Sequence, residues 1–253
     1  MFRQPSELIR IKGVLGKAKR YAEFVQQFYQ FANLSAQGAP RFSLRWRDRY
    51  PCLTDRTSRT DFDRHYIYHT AWAARILKQT LPKEHVDISS ALYFVTLLSA
   101  FMKVRHFDYR PPRIHLPGLE VGSVNLTSMP FEDHSLESVS CMHVIEHVGL
   151  GRYGDPLDPQ GDLKAMAEIE RVAAPGGCLL IVVPVGRPRI CFNAHRVYSY
   201  EQIRSGFPNC DLIQIALIPD QEVTGGLVID PAVSIINSQH YGCGCFWFCR
   251  KGE

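Results

Sequence analysis

The chain has 253 residues, enough for one full hydrophobic core, alone or with an extension. Its apolar fraction of 45% and charged fraction of 21% are ordinary for a soluble globular protein. No apolar run reaches the ~20 residues needed to span a bilayer, and the N-terminus lacks the basic-apolar-small pattern of a secretory signal.

Residues 1–50 carry ten Lys or Arg against three Asp or Glu, so the basic charge is concentrated there. Ser6 to Phe31 has apolar residues at helical spacing, including Leu8, Ile11, Leu15, Ala18, Ala22, Val25 and Phe28/Tyr29. Lys12, Lys17, Lys19 and Arg20 decorate its polar side. Such a basic helix could pack on the core or a second subunit, or make a peripheral membrane contact. Asn33 to Pro40 reads as a break and Phe42 to Asp63 as irregular. Residues 1–60 are therefore expected to be a helical and irregular extension, and residues 61–253 the main domain.

His65 to Thr80 is predicted to be a helix, with Tyr68, Trp72, Ile76 and Leu77 on one side. Asp61 or Asp63 could cap it, and Pro82 ends it. Strands and helices then alternate, which predicts a mostly parallel sheet covered on both faces. The expected strands are 84–88, 104–108, 119–124, 137–142, 178–184, 211–218 and 243–250. The expected helices between them are 90–101, 162–173 and 199–206.

Among the eight cysteines, Cys141, Cys178, Cys191 and Cys210 sit in apolar runs, as buried thiols of a reducing compartment do. This favours a cytoplasmic location. Cys243, Cys245 and Cys249 would share one face of a regular strand. Paired Cys-x-x-Cys units are absent, so close packing rather than metal binding is expected, and no metal site is predicted.

Five short motifs between Glu84 and Pro184 stand in a telling order. They are Asp87-Ile88-Ser89-Ser90, Phe107-Asp108-Tyr109, Met129-Pro130-Phe131, His143-Val144-Ile145-Glu146-His147 and Ala174-Pro175-Gly176-Gly177. Each alone is weak, but in this order and spacing they resemble the cofactor half of class I S-adenosylmethionine-dependent methyltransferases. The resemblance implies a Rossmann-like α/β fold, a seven-stranded mostly parallel sheet with helices on both faces, and S-adenosyl-L-methionine as cofactor.

The resemblance also implies roles for single residues. Asp87 fits the acidic position of the first turn, while Ser89 stands where the family places its first glycine. Ser89-Ser90 could cap the next helix, whose free N–H groups would face the methionine carboxylate. Asp108, twenty-one residues after Asp87, ends an apolar strand and could accept both ribose hydroxyls. Tyr109 could lie against the adenine. Asn125 replaces the family's Asp and could still accept from the adenine amino group through its side-chain oxygen. Leu126 would offer its backbone N–H to a ring nitrogen. His143 would end the fourth strand beside the cofactor.

The remaining candidates concern the acceptor. A hydroxyl acceptor needs a base, and His147, His143 and Glu146 are the candidates. In the loop Gly149 to Pro159, Arg152, Tyr153 and Asp155 are expected to contact substrate, Asp158 to form a turn and Asp162 to cap a helix. His195 and Arg196 would lie on the same rim. The resulting expectation is methyl transfer to a small-molecule or glycan acceptor, with an oligomer left open. A catalytically silent relative serving as a binding or scaffold protein is the alternative, favoured by the turn without glycine. No Gly-x-Gly-x-x-Gly supports a dinucleotide enzyme, and no Asn-Pro-Pro-Tyr-like motif supports nucleic-acid methylation.

Overall fold

The structure, a computed structural model, describes residues 5–39 and 41–252, with the side chains of residues 14, 16–39 and 41–252. The chain divides into two compact units, Met1–Asp61 and Phe62–Glu253.

The first unit holds helix α1 (Pro5–Ser35) and a short 3-10 turn at Trp46–Asp48. The Trp46 indole lies parallel to Tyr29 at 6.0 Å and meets Phe28 edge-on at 4.9 Å. The Arg49 guanidinium covers its ring at 4.6 Å. Aromatic quadrupoles favour both the edge contact and the cation. The expected apolar stripe holds only in part: Val25 and Phe28 are half-buried, whereas Ala18, Ala22 and Tyr29 are exposed. Its Leu8, Ile11, Lys12 and Leu15 fall outside the described side chains. Among the described residues no helix is long and apolar enough to cross a membrane.

The second unit opens with α2 (Arg64–Thr80), where Asp63 accepts from the Tyr66 N–H as N-cap. Then follow β1 (Glu84–Ile88), α3 (Leu92–Leu98), β2 (Lys103–Asp108), β3 (Leu119–Ser123), β4 (Leu136–Met142), α4 (Gly161–Val172) and β5 (Ala173–Val185). A small hairpin comes next, β6 (Arg189–Cys191) with β7 (His195–Val197), and then α5 (Tyr200–Gly206) and β8 (Cys210–Ile218). The chain ends with β9 (Val228–Ile229), α6 (Val233–Ser238) and β10 (Gly242–Arg250).

The main sheet runs β3-β2-β1-β4-β5-β10-β8-β9. The first five strands are parallel, and β10 inserts antiparallel between β5 and β8. Seven strands are those expected; the two-residue β9 extends the far edge. Side chains alternate across the sheet as period two demands. Leu180, Val182, Cys243 and Cys245 face α2 and α3, packing with Trp72, Leu77 and Phe94. Leu179, Ile181, Phe246 and Phe248 face α4 and α5, packing with Met166, Ile169 and Phe207. Both faces are covered, as an α/β layer fold requires.

Two local expectations change. The helix after β1 starts at Leu92, and its N-cap Ala91 supplies no side-chain acceptor. Ser90 does not cap it, because its hydroxyl accepts from the Met142 N–H and so ties β1 to β4. Pro175-Gly176-Gly177 does not precede β5 but bulges from within it: Leu136 pairs with Ala173, and Ser138 next pairs with Cys178. Gly176 takes φ 74° at that bulge, a conformation open to glycine.

Candidate active site

Parallel strands ending at one sheet edge make a crevice there, and loops from successive strands line it. At this edge a cleft of about 250 Å³ is lined by Ile88-Ser89 after β1, Asp108-Tyr109-Arg110 after β2, Val124 to Thr127 after β3 and His143-Val144 after β4. The loop after β4 supplies the opposite wall through Gly149, Tyr153 and Asp155.

Ser89 holds φ 56° where the resemblance places glycine. Its N–H donates to the Phe107 carbonyl at 2.8 Å, and its hydroxyl reaches the same oxygen at 3.3 Å. A serine thus adopts the left-handed backbone of the turn, at a cost of about 1 kcal/mol. Asp87 does not reach the cleft. It is fully buried, accepting from the Ser140 hydroxyl at 2.5 Å, the His106 Nδ1–H at 2.8 Å and the Ser90 N–H at 3.1 Å. Burial alone would raise its carboxyl pKa, but these donors outweigh burial and hold it below the usual range. Its contribution to the cleft is therefore confined to the shape of the turn.

Asp108 faces the cleft, with Oδ1 accepting the Arg110 N–H at 2.7 Å. Tyr109 lines the same wall and is half exposed at 45%. The Asn125 expectation needs correction. Its side-chain oxygen accepts from both the N–H and the hydroxyl of Thr127, at 3.0 and 2.9 Å. That oxygen is occupied in closing the turn, so an adenine amino group would have to rely on other acceptors. Leu126 is buried against the cleft wall.

A second, larger cavity of about 770 Å³ adjoins the first and shares His143, His147 and Tyr153 with it. His65 and Tyr66 of α2, Glu146, Arg152, His195 and Tyr241 complete much of its wall. His147 is oriented for proton acceptance: its Nδ1 lies 2.6 Å from the Ala194 carbonyl oxygen. Only a protonated Nδ1 satisfies that contact, which leaves the Nε2 lone pair free. Burial lowers its pKa, against the raising influence of Glu146.

His143 takes φ 58° at the strand end, and its Nδ1 lies 2.9 Å from Glu146 Oε1. Burial pushes both groups toward their neutral forms, His143 down to about 4 and Glu146 up to about 7, the latter opposed by His147. Glu146 Oε2 is buried without a hydrogen-bond partner. His65 and Tyr66 bracket the His143 ring, with centroids at 5.7 and 5.4 Å. Burial, then His143, lowers His65 to about 4.

The loop after β4 is held by Asp155, which accepts from the N–H groups of Gly149, Gly151 and Tyr153. Asp155 therefore shapes the wall as well as lining it. Gly149 is required there: at φ 81° a Cβ would meet the Asp158 carbonyl oxygen at 2.0 Å. Arg152 donates to the Ala194 carbonyl at 3.0 Å and covers the Tyr153 ring at 5.1 Å. Asp158 forms the expected turn, accepting from the Gln160 N–H.

Two sequence-based roles are not met. Asp162 is not a helix cap; Gln160 is, and Asp162 accepts from the Tyr198 hydroxyl at 3.0 Å. Arg196 is not available to a substrate. It is 5% exposed, pairs with Asp162 at 3.5 Å and donates to the Val148 carbonyl at 2.7 Å. Tyr66 and Tyr241 carry no local signal as site residues, since they come from α2 and from the turn before β10, and Cys243 is expected only to pack in a strand. The one usable clue was that His65 and His69 recur at helical spacing ahead of the first strand.

Comparison with known proteins agrees with this architecture. A family model described as "Caenorhabditis protein of unknown function, DUF268" matches residues 127–210. No curated protein matches the sequence. The N-methyltransferase NodS from Bradyrhizobium japonicum, solved with S-adenosyl-L-homocysteine, is similar at a TM-score of 0.53 and 14% identity, covering 80% of this chain and 92% of that one. The YcgJ protein from Bacillus subtilis is similar at a TM-score of 0.52 and 13% identity, covering 74% of this chain and 100% of that one. The chain has the class I methyltransferase fold.

Proposed function

We propose that this protein is an S-adenosylmethionine-dependent methyltransferase that methylates a hydroxyl of a small-molecule or glycan acceptor. The observation that carries this reading is the pair of adjoining cavities, with Asp108 on the far wall of the first and His147 on their shared boundary. The lining of the first cleft suits this cofactor: the Asp108 carboxylate for the ribose hydroxyls, Tyr109 and Leu126 for the base, and a turn at Ser89 in the glycine-like conformation. Bound S-adenosylmethionine would supply an activated methyl whose C–S bonding pair returns to sulfur as the acceptor oxygen forms the new C–O bond.

The chain's own residues then have defined tasks. Asp108 orients the ribose by accepting from its hydroxyls. Tyr109 and Leu126 cover the base. His147 takes the acceptor proton at Nε2, while the Ala194 carbonyl holds its Nδ1–H. Glu146, next to His147 Nε2 at 3.8 Å, favours the imidazolium that forms. Arg152, Tyr153, His195 and Tyr241 line the acceptor cavity with donors and ring faces suited to a hydroxylated ligand. Alignment of acceptor and methyl by these walls would supply much of the rate enhancement. The silent-relative alternative rests on the missing glycine; Ser89 holds the left-handed backbone of that turn, which supports the active reading.

Calorimetric titration with S-adenosylhomocysteine tests the reading. Saturable 1:1 binding is expected, weakened at least tenfold by Asp108→Ala. Absence of heat at millimolar ligand would rule the reading out.

A further inference from the structure

At the wall of the second cavity lies a constellation that methyl transfer does not require. His65 of α2, His143 at the end of β4 and Cys243 of β10 present one ligand atom each, all within 4.8 Å of one another. Cys243 Sγ lies 3.4 Å from His143 Nε2. Two ligands at zinc bond lengths of ~2.3 Å for sulfur and ~2.0 Å for nitrogen, at a tetrahedral angle, stand about 3.5 Å apart. We propose that His65, His143 and Cys243 form a binding site for a borderline-soft divalent cation, Zn²⁺ in type.

Three features of the surroundings fit a cation here. The His143 Nδ1 contacts Glu146 Oε1 at 2.9 Å, so Nδ1 carries the proton and the Nε2 lone pair is directed at the thiol. A carboxylate behind the non-ligating nitrogen is the usual device that fixes a metal-bound imidazole and raises its basicity. The His143 backbone holds a left-handed φ of 58°, a strained conformation that aims the ring at Cys243. The donor set of two imidazoles and a thiol selects zinc-like ions over calcium or magnesium, which prefer oxygen.

The site also has the form of a reactive centre rather than a structural one. Three protein ligands leave a fourth position open. His65 and His143 line the second cavity, while Cys243 is fully buried beside them, with Sγ 3.4 Å from His143 Nε2. The open position therefore faces the space where an acceptor would sit. There the cation would bind the acceptor's hydroxyl oxygen and acidify its proton, which passes to His147 Nε2. This role rests on the methyl-transfer reading; occupancy of the site does not.

The test uses the full chain, stripped with a chelator and titrated with Zn²⁺ against a chromophoric competitor, and with Co²⁺ followed by absorbance. One equivalent is expected, with a thiolate-to-cobalt charge-transfer band. His65→Ala, on a half-buried residue in the first turn of α2, should weaken binding at least tenfold. Cys243→Ser should abolish the charge-transfer band, whereas Cys245→Ser, removing a thiol 3.9 Å from Cys243 Sγ, should keep it. Circular dichroism of each stripped variant establishes that it is folded. Failure to bind either cation at micromolar concentration, or binding unchanged in both His65→Ala and Cys243→Ser, would overturn the proposal. S-adenosylhomocysteine titration of the same stripped protein separates the two claims. Cation binding without cofactor binding would remove the methyltransferase reading alone, and the reverse would remove the cation site alone.

Discussion

Acidification should unfold this protein in part through His85, which has no role in the cavities. His85 is completely buried on β1, with Nδ1 2.8 Å from Ser138 Oγ and Nε2 2.9 Å from Ser140 Oγ. Ser140 donates its own proton to Asp87, so it accepts from His85 Nε2–H, and Ser138 donates to Nδ1. The neutral imidazole is fully satisfied, and what opposes a second ring proton is the charge it would bring into a fully buried site. Burial lowers the pKa to about 4 from 6.5, against the opposing pull of Asp87. The sign follows from proton uptake: the unfolded chain binds a proton near pH 6.5, whereas the folded chain resists until about pH 4. Stability is whole above pH 6.5 and falls as pH drops toward 4. Between pH 7.5 and 4.5 this one group should cost about 2.5 kcal/mol. Urea unfolding across that range, for the wild type and His85→Gln, measures it. The variant starts less stable, since it loses the paired hydrogen bonds, but its stability should fall by about 2.5 kcal/mol less. Parallel pH profiles for the two proteins would refute the reasoning.

Other substitutions separate shape from chemistry. His147→Ala should reduce turnover by about 10²–10⁴-fold while leaving S-adenosylhomocysteine affinity within about twofold, as loss of a general base does. Arg196→Ala should leave Asp162 buried without its cation and destabilise the fold by about 3–5 kcal/mol in urea unfolding. An altered acceptor KM at unchanged stability would instead restore Arg196 to the substrate site. Gly149→Ala should cost at least about 2 kcal/mol, because its Cβ collides with the Asp158 carbonyl oxygen at φ 81°. Its thermal unfolding midpoint should fall; an unchanged midpoint would show that the loop relaxes freely.

The sheet was readable from the chain because its strands are long and apolar and alternate with helices. The expected strand 211–218 differs from the observed one by a single residue, whereas 178–184 is the inner part of a strand that starts at Ala173 and carries the bulge. The hairpin β6–β7 escaped, since three-residue strands such as Arg189–Cys191 have no period to detect. The helix β9 precedes, α6, is a six-residue element of the same kind. Residues that end a strand, such as Asp108 and His143, reach the site because the edge of a parallel sheet places them there. His65 and Cys243 reach it through tertiary packing of α2 and β10, which local sequence does not encode; Cys243 lies 100 residues from His143. Burial also reassigned partners. Asp87 and Arg196 looked like surface-facing polar residues, but each has exchanged solvent for buried partners, Asp87 for His106 and Ser140 and Arg196 for Asp162.

The most direct test of the account is the crystal structure of the protein grown with S-adenosylhomocysteine. The account expects the ribose hydroxyls within hydrogen-bonding distance of Asp108 and the sulfur directed toward His147 and the second cavity. Ligand density elsewhere on the protein, or an empty cleft at saturating ligand, would contradict it.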